Sequence, residues 1–98
     1  MNNKTQNNQE DFFLLDSGRI FIRGEIDEDS EEKFVRSLRY CMSIDIKQIY
    51  VYISSEGGDV DSACAIIDEI NGAKKQGFKI HTIALGKAYS AASYILTL

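Results

Sequence analysis

The sequence predicts an α/β fold built on a mostly parallel sheet. Three short segments rich in β-branched and aromatic residues, 19–23, 49–53 and 78–85, read as strands. Each is followed by a stretch whose apolar residues return every three or four positions, as in an amphipathic helix. Strands separated by helices of that length are joined by right-handed crossovers, which set them parallel. A chain of 98 residues, 44% hydrophobic and 27% charged, has material for one small core, whether as a domain or as part of a larger one.

Residues 1–17 open the chain. The first eleven are rich in Asn and Gln with no apolar periodicity, so the expectation is a mobile arm. The run R-I-F-I-R at 19–23 then forms a strand closed by Gly24. Asp29 is the expected N-cap of the first helix, with Glu32 three residues on, and Phe34, Leu38, Cys41 and Met42 follow at helical spacing. I-Y-V-Y-I at 49–53 is the clearest strand, and its unbroken apolar character suits a sheet covered on both faces. Alternation puts Ile49, Val51 and Ile53 on one face and Tyr50 and Tyr52 on the other. The turn S-S-E-G-G-D-V leads to a second helix with the stripe Val60, Ala63, Cys64, Ile67 and Ile70, ending near Asn71-Gly72 or Gly77. Phe78–Leu85 is the third strand, stopped by Gly86, and a third helix starts near Ser90. The chain stops inside that apolar helix, which reads as part of something longer.

Composition excludes several classes. Fifteen acidic against eleven basic residues give a net charge of −4, an unfavourable balance for a nucleic-acid partner. No apolar run approaches the roughly 18 residues of a membrane span. The opening residues hold no apolar leader segment, which makes the cytosol the expected compartment. Cys41 and Cys64 lie among apolar helical positions and read as buried, reduced thiols. With a single histidine, His81, the chain has too few of the usual ligands for zinc, and no cofactor is called for.

Ser90 is the first candidate for chemistry. It sits between a strand end and a helix start, a place that lifts a side chain out of the sheet. Neighbouring N–H groups there can stabilise a developing negative charge. The strand–turn–helix arrangement is related to the nucleophile elbow of hydrolases, although a serine in this position also serves simply as an N-cap. Gly57-Gly58 is the second candidate, because a glycine pair admits positive φ and close backbone approach; the plain alternative is a tight turn. His81 lies in the body of its strand, away from Ser90, and reads as a half-buried strand histidine. Ser93 reads as packed or bonded to a backbone carbonyl. The acidic run from Glu25 to Glu32 reads as a charged helix start.

Taken together, the segments resemble the ClpP family, the proteolytic subunit of the ATP-dependent Clp protease. The resemblance rests on G-R-I-F-I-R-G-E-I-D at 18–27, I-Y-V-Y-I-S-S-E-G-G-D-V at 49–60 and H-T-I-A-L-G-K-A-Y-S-A-A-S at 81–93. It implies a crossover spiral of repeated β-α units, the fold shared with crotonases, here as the N-terminal portion of a catalytic domain at 18–98. It further implies that Ser90 is the nucleophile, that the amides of Gly58 and Ala91 form the oxyanion hole, and that substrate lies along Gly57 and Gly58. Tyr50 and Tyr52 match aromatic positions where the family docks an AAA+ unfoldase. The implied enzyme is a Ser-His-Asp endopeptidase of two stacked heptameric rings, acting on unfolded polypeptide. Its histidine and aspartate would lie beyond Leu98, so these 98 residues alone are expected to be inactive. Where the family usually has Asn-Ser-Pro-Gly-Gly, this chain has Ser54-Ser55-Glu56-Gly57-Gly58. Glu56 brings a negative charge beside the oxyanion position, which opposes the transition state unless it points to solvent. Gly72 also falls near a position that is often aromatic in the docking pocket. Two further readings are a non-catalytic relative that acts as an interaction subunit, and a crotonase-type acyl-CoA enzyme.

Overall fold

The computed structural model describes residues 15–96. Its elements are β1 (Arg19–Arg23), α1 (Glu28–Ser43), β2 (Gln48–Ser55), α2 (Val60–Lys75), β3 (Lys79–Ala88) and α3 (Ala91–Leu96). The three strands form a parallel sheet in the order β1-β2-β3, with Ile20 opposite Val51 and Ile49 opposite Ile80. The alternation of β-α units and the parallel sheet are as the sequence predicts. Most of the expected arm at 1–17 lies outside the described residues. Its last residues are tied to α1: Leu15 packs on the core and its carbonyl accepts from Cys41 Sγ, while Asp16 accepts from the Tyr40 hydroxyl.

The inward row of the sheet is Ile20, Ile22, Ile49, Val51, Ile53 and Ile80, all buried. Phe34, Leu38 and Cys41 from α1 and Ile66 and Ile70 from α2 pack in the same core. Among the described residues no second layer covers the other face, whereas the sequence predicts a sheet covered on both. Because strand order follows chain order, successive crossovers of one hand put their helices on one side. Tyr50 and Tyr52 are half-buried by neighbours within the sheet instead: Tyr52 stacks on Phe21 and Tyr50 on His81, with ring centroids 5.0 and 4.8 Å apart.

Several element ends differ from the expectation. The N-cap of α1 is Asp27, not Asp29. Asp27 Oδ1 accepts from the Ser30 N–H and Ser30 Oγ accepts from the Asp27 N–H, both at 2.9 Å, a reciprocal pair made with serine in place of Glu or Gln. In α2 the buried stripe is Ala63, Ile66, Ile70 and Ala73, while Val60 and Cys64 face out and Ile67 is half-buried. That helix starts on Asp59, whose carboxylate accepts from both Ser62 N–H and Ser62 Oγ, and it ends just before Gly77. Strand β3 does not stop at Gly86. Ile53 lies opposite Ala84 but Ser55 opposite Ala88, so β3 carries extra residues in a bulge where Gly86 takes φ 81°.

Both cysteines are free. Cys41 is buried as expected, and burial followed by the nearby Asp16 charge pushes its thiol up to about 11. Cys64 is exposed, a consequence of the rotated stripe on α2. The hydrogen bond to Asp16 raises the Tyr40 hydroxyl above the ordinary tyrosine range. Among the described residues no helix is long and apolar enough to cross a membrane, and no three His, Cys, Asp or Glu side chains cluster as metal ligands.

Candidate active site

The carboxyl ends of β2 and β3 carry two loops that meet. Parallel pairing of Ser55 with Ala88 brings the turn at 56–59 beside the turn at 89–90. Ser55, at the end of the inward row, is fully buried and ties the two together. Its Oγ accepts from the Gly57 N–H at 3.0 Å and its carbonyl accepts from the Tyr89 N–H at 3.1 Å. The sequence reading passed over Ser55. The available signal was its parity with Ile49, Val51 and Ile53, which requires a buried hydroxyl to find a partner.

Ser90 sits in the left-handed region with φ 51°, a backbone conformation that costs a non-glycine residue roughly 1–3 kcal/mol. It is exposed, whereas Ala91 and Ala92 behind it are buried. The first turn of α3 hangs from this corner, with Ala92 N–H donating to the Tyr89 carbonyl and Ser93 N–H to the Ser90 carbonyl. Ser93 Oγ also donates to the Ser90 carbonyl at 2.6 Å, so Ser93 is backbone-bonded as expected.

Gly57 lies directly against Ser90. A Cβ built on Gly57 would fall 2.8 Å from Ser90 Cβ, 3.0 Å from the Tyr89 carbonyl oxygen and 3.3 Å from the Ala91 nitrogen. At φ 110° this position also excludes most side chains on backbone grounds. Gly58 is anchored on its other side. The Ile26 N–H donates to the Gly57 carbonyl and the Asp59 N–H to the Ile26 carbonyl, so 57–59 runs as a short extension of the sheet beside Ile26. Among the described residues neither the Gly58 nor the Ala91 N–H donates to a protein acceptor.

The Glu56 carboxylate is turned to solvent and meets Lys87 Nζ at 3.1 Å across the two loops. Glu56, Lys87, Arg23, Glu25, Gly57 and Gly58 line an open groove of about 610 Å³. Glu56 therefore satisfies the condition under which its charge does not oppose an oxyanion: it points outward and has a counter-ion.

The remaining candidates lie elsewhere. His81 is opposite Tyr50 in the register, five positions from the Ser55–Ala88 pair and thus roughly 17 Å down the strand. It is exposed rather than half-buried, with Nε2 3.3 Å from Gln48 Oε1 and its ring on Tyr50. Tyr50 and Tyr52 share the open sheet face as expected. Gly72 is on the helical side of the sheet, in a groove lined also by Arg39, Met42 and Glu69.

Comparison with known proteins decides the family. The family model for Clp protease matches residues 2–98. The chain belongs to the Clp protease family. It is 39% identical over 97 residues to the ATP-dependent Clp protease proteolytic subunit 2 of Treponema denticola, a match covering 95% of this chain and 47% of the relative. The subunit of the same name from Treponema pallidum is 38% identical over 84 residues, covering 85% of this chain and 41% of its own length. The fold superposes on the crystal structure of the ClpP protease catalytic domain from Plasmodium falciparum with a TM-score of 0.81 and 29% identity, covering 89% of this chain and 46% of that one. The chain thus spans about half the length of the curated relatives that it matches. The ClpP-like α/β fold expected from the three motifs is the fold observed, and membership in a family of proteases replaces the crotonase reading.

Proposed function

We propose that this chain is the N-terminal portion of a serine endopeptidase subunit in which Ser90 is the nucleophile. One observation carries the reading. The chain holds Ser90 in a left-handed corner with the side-chain-free Gly57 packed against it, an arrangement that exposes the hydroxyl and leaves the adjacent backbone bare. Ser90 Oγ would attack the scissile carbonyl, and the amides of Gly58 and Ala91 would receive the oxyanion. An unfolded peptide would lie extended along Gly57 and Gly58, where the absence of side chains lets its backbone approach closely. The histidine that takes the Ser90 proton and the acid that orients it are assigned to residues outside these 98; His81 is too distant and too committed to Tyr50 and Gln48 to serve. The assembly is read as stacked heptameric rings fed by an AAA+ unfoldase that docks on the Tyr50 and Tyr52 face. The proposed compartment is the cytoplasm, a reducing environment in which an exposed free thiol such as Cys64 persists. An unpaired Glu56 charge beside the oxyanion position would favour the non-catalytic alternative, and the Lys87 counter-ion removes that support.

The test joins this chain in frame to the part of the Treponema denticola relative that its match leaves uncovered. The chimaera is expected to cleave a fluorogenic peptide, and Ser90→Ala to lower the rate about a thousandfold or more. Hydrolysis that survives Ser90→Ala would overturn the assignment. So would an inactive chimaera that still sediments as a ring-sized particle.

A further inference from the structure

The open face of the sheet has a charge pattern that the protease reading does not use. Along β1 it presents Arg19, Phe21 and Arg23; along β2, Gln48, Tyr50, Tyr52 and Ser54; along β3, Lys79, His81 and Ile83. None of these positions is Asp or Glu, although the chain as a whole carries a net charge of −4. Among the described residues the acidic side chains are gathered on the helices and loops, and the sheet face is left cationic and aromatic.

The geometry adds detail. Phe21 and Tyr52 stack with an interplanar angle of 18°, and Tyr50 and His81 with 17°. The two stacked pairs lie side by side, one bridging β1 and β2 and the other β2 and β3, and together make an aromatic ridge across the three strands. Arg23 holds its guanidinium 4.6 Å from the centroid of Phe21, at the rim of that ridge, and Arg19 lies opposite Tyr50 at its other end. Both arginines are exposed, and among the described residues neither meets a carboxylate. Arg23 shares the groove at its end of the face with Glu25 and Glu56 but forms no ion pair with either, and a guanidinium without a close ion pair beside half-buried aromatic rings attracts a carboxylate from outside. Because each ring already has a neighbour against its face, the ridge offers less flat area for bases to stack upon, and the whole-chain charge disfavours a polyanion. A peptide fits better than a nucleic acid.

We infer that Arg19 and Arg23 make this face selective for a protein segment in which an apolar anchor is flanked by acidic residues. The anchor seats on the Phe21, Tyr50 and Tyr52 ridge and the acids pair with the two arginines. This rests on the docking reading above and adds the chemistry of the partner: acidic flanks, not merely an apolar contact.

The experiment measures fluorescence anisotropy of labelled hexapeptides against the whole chain. The probes are Gly-Asp-Leu-Phe-Asp-Gly, its Asn-flanked neutral counterpart and its Lys-flanked basic counterpart. The acidic probe is expected to bind about three- to tenfold more tightly than the neutral one at low salt, with the gap closing above about 0.5 M salt. The double variant Arg19→Gln/Arg23→Gln, checked for native circular dichroism, is expected to equalise the acidic and neutral probes. Tyr52→Ala is expected to weaken all three together. Equal binding of acidic and neutral probes to the unsubstituted chain would overturn the charge selection and leave docking standing. No binding of any probe would overturn the docking reading and this inference with it. Displacement of the acidic probe by oligo-dT at comparable concentration would reassign the face to nucleic acid.

Discussion

Substituting Gly57 with alanine tests how closely the two loops of the site depend on one another. The added methyl would sit 2.8 Å from Ser90 Cβ, closer than real Cβ atoms come without movement, and a tight 3.0 Å from the Tyr89 carbonyl oxygen. The neighbour is a short, stiff side chain and a backbone oxygen, so neither can swing aside cheaply. Overpacking of this kind costs about 1–3 kcal/mol, and holding alanine at φ 110° adds about 1–3 kcal/mol more. The combined loss, about 2–6 kcal/mol, is a large part of the stability of a small domain. Gly24→Ala is the matched control. Gly24 also has positive φ, 75°, but nothing lies within 4 Å of its would-be Cβ, so the backbone term stands alone at about 1–2 kcal/mol. Urea denaturation of the chain and both variants gives the comparison directly, and amide shifts of Ser90 and Ala91 report where the strain goes. If Gly57→Ala unfolds at the same denaturant concentration as Gly24→Ala, the loop contact is not what the geometry says. If it is destabilised but the Ser90 and Ala91 amides do not move, the clash is relieved elsewhere and Gly57 is not what sets the Ser90 corner.

Three other outcomes follow from the same structure. Asp27→Ala removes the carboxylate that accepts from the Ser30 N–H, leaving the Asp27 backbone N–H on Ser30 Oγ, and is expected to cost about 1 kcal/mol, against less than about 0.5 kcal/mol for Asp29→Ala; equal losses would return the helix start to Asp29. Cys41 is held protonated by burial, so its folded-state thiol ionises at higher pH than the unfolded one. Its contribution is therefore complete below about pH 9 and lost as pH rises toward 11, by no more than about 3 kcal/mol, and Cys41→Ala is expected to flatten that decline. At pH 8 iodoacetamide is expected to modify exposed Cys64 quickly and Cys41 only on unfolding; equal rates would contradict the packing of α1.

The sequence carried the order of elements and the inward row of the sheet, because both follow from local pattern. Ile49, Val51 and Ile53 alternate with tyrosines, and only one parity can enter a core. Where reading failed, the missing information was tertiary. Whether Tyr50 and Tyr52 are covered depends on which side the crossovers fall, and the strand itself looks the same either way. The stripe on α2 is rotated by about one position because Ala63, Ile66, Ile70 and Ala73 offer a face as apolar as Val60, Cys64 and Ile67; the sheet chooses between them. The cap of α1 was misplaced for a chemical reason, since Ser30 does the work usually sought from Glu or Gln. Gly86 reads as a strand end because an isolated sequence gives the same signal for a stop and for a bulge.

The site was legible only as separate pieces. Ser90 and Gly57 are distant in sequence, and nothing local says that one has to lack a side chain for the other to sit where it does. The Glu56–Lys87 pair makes the same point with charge. From sequence, Glu56 is an added negative charge where the family usually has proline, and the expected consequence is electrostatic opposition at the oxyanion position. In the fold, the bulge of β3 brings Lys87 across to it, and a carboxylate that faces solvent with a cation 3.1 Å away leaves little field at the amides behind it. The proline is replaced by a tether rather than by a liability: an exposed ion pair is weak, worth at most about 1 kcal/mol, but it links the Gly57 turn to the strand that delivers Ser90. The same bulge that misled the reading of β3 is what makes Glu56 compatible with the chemistry assigned to the site.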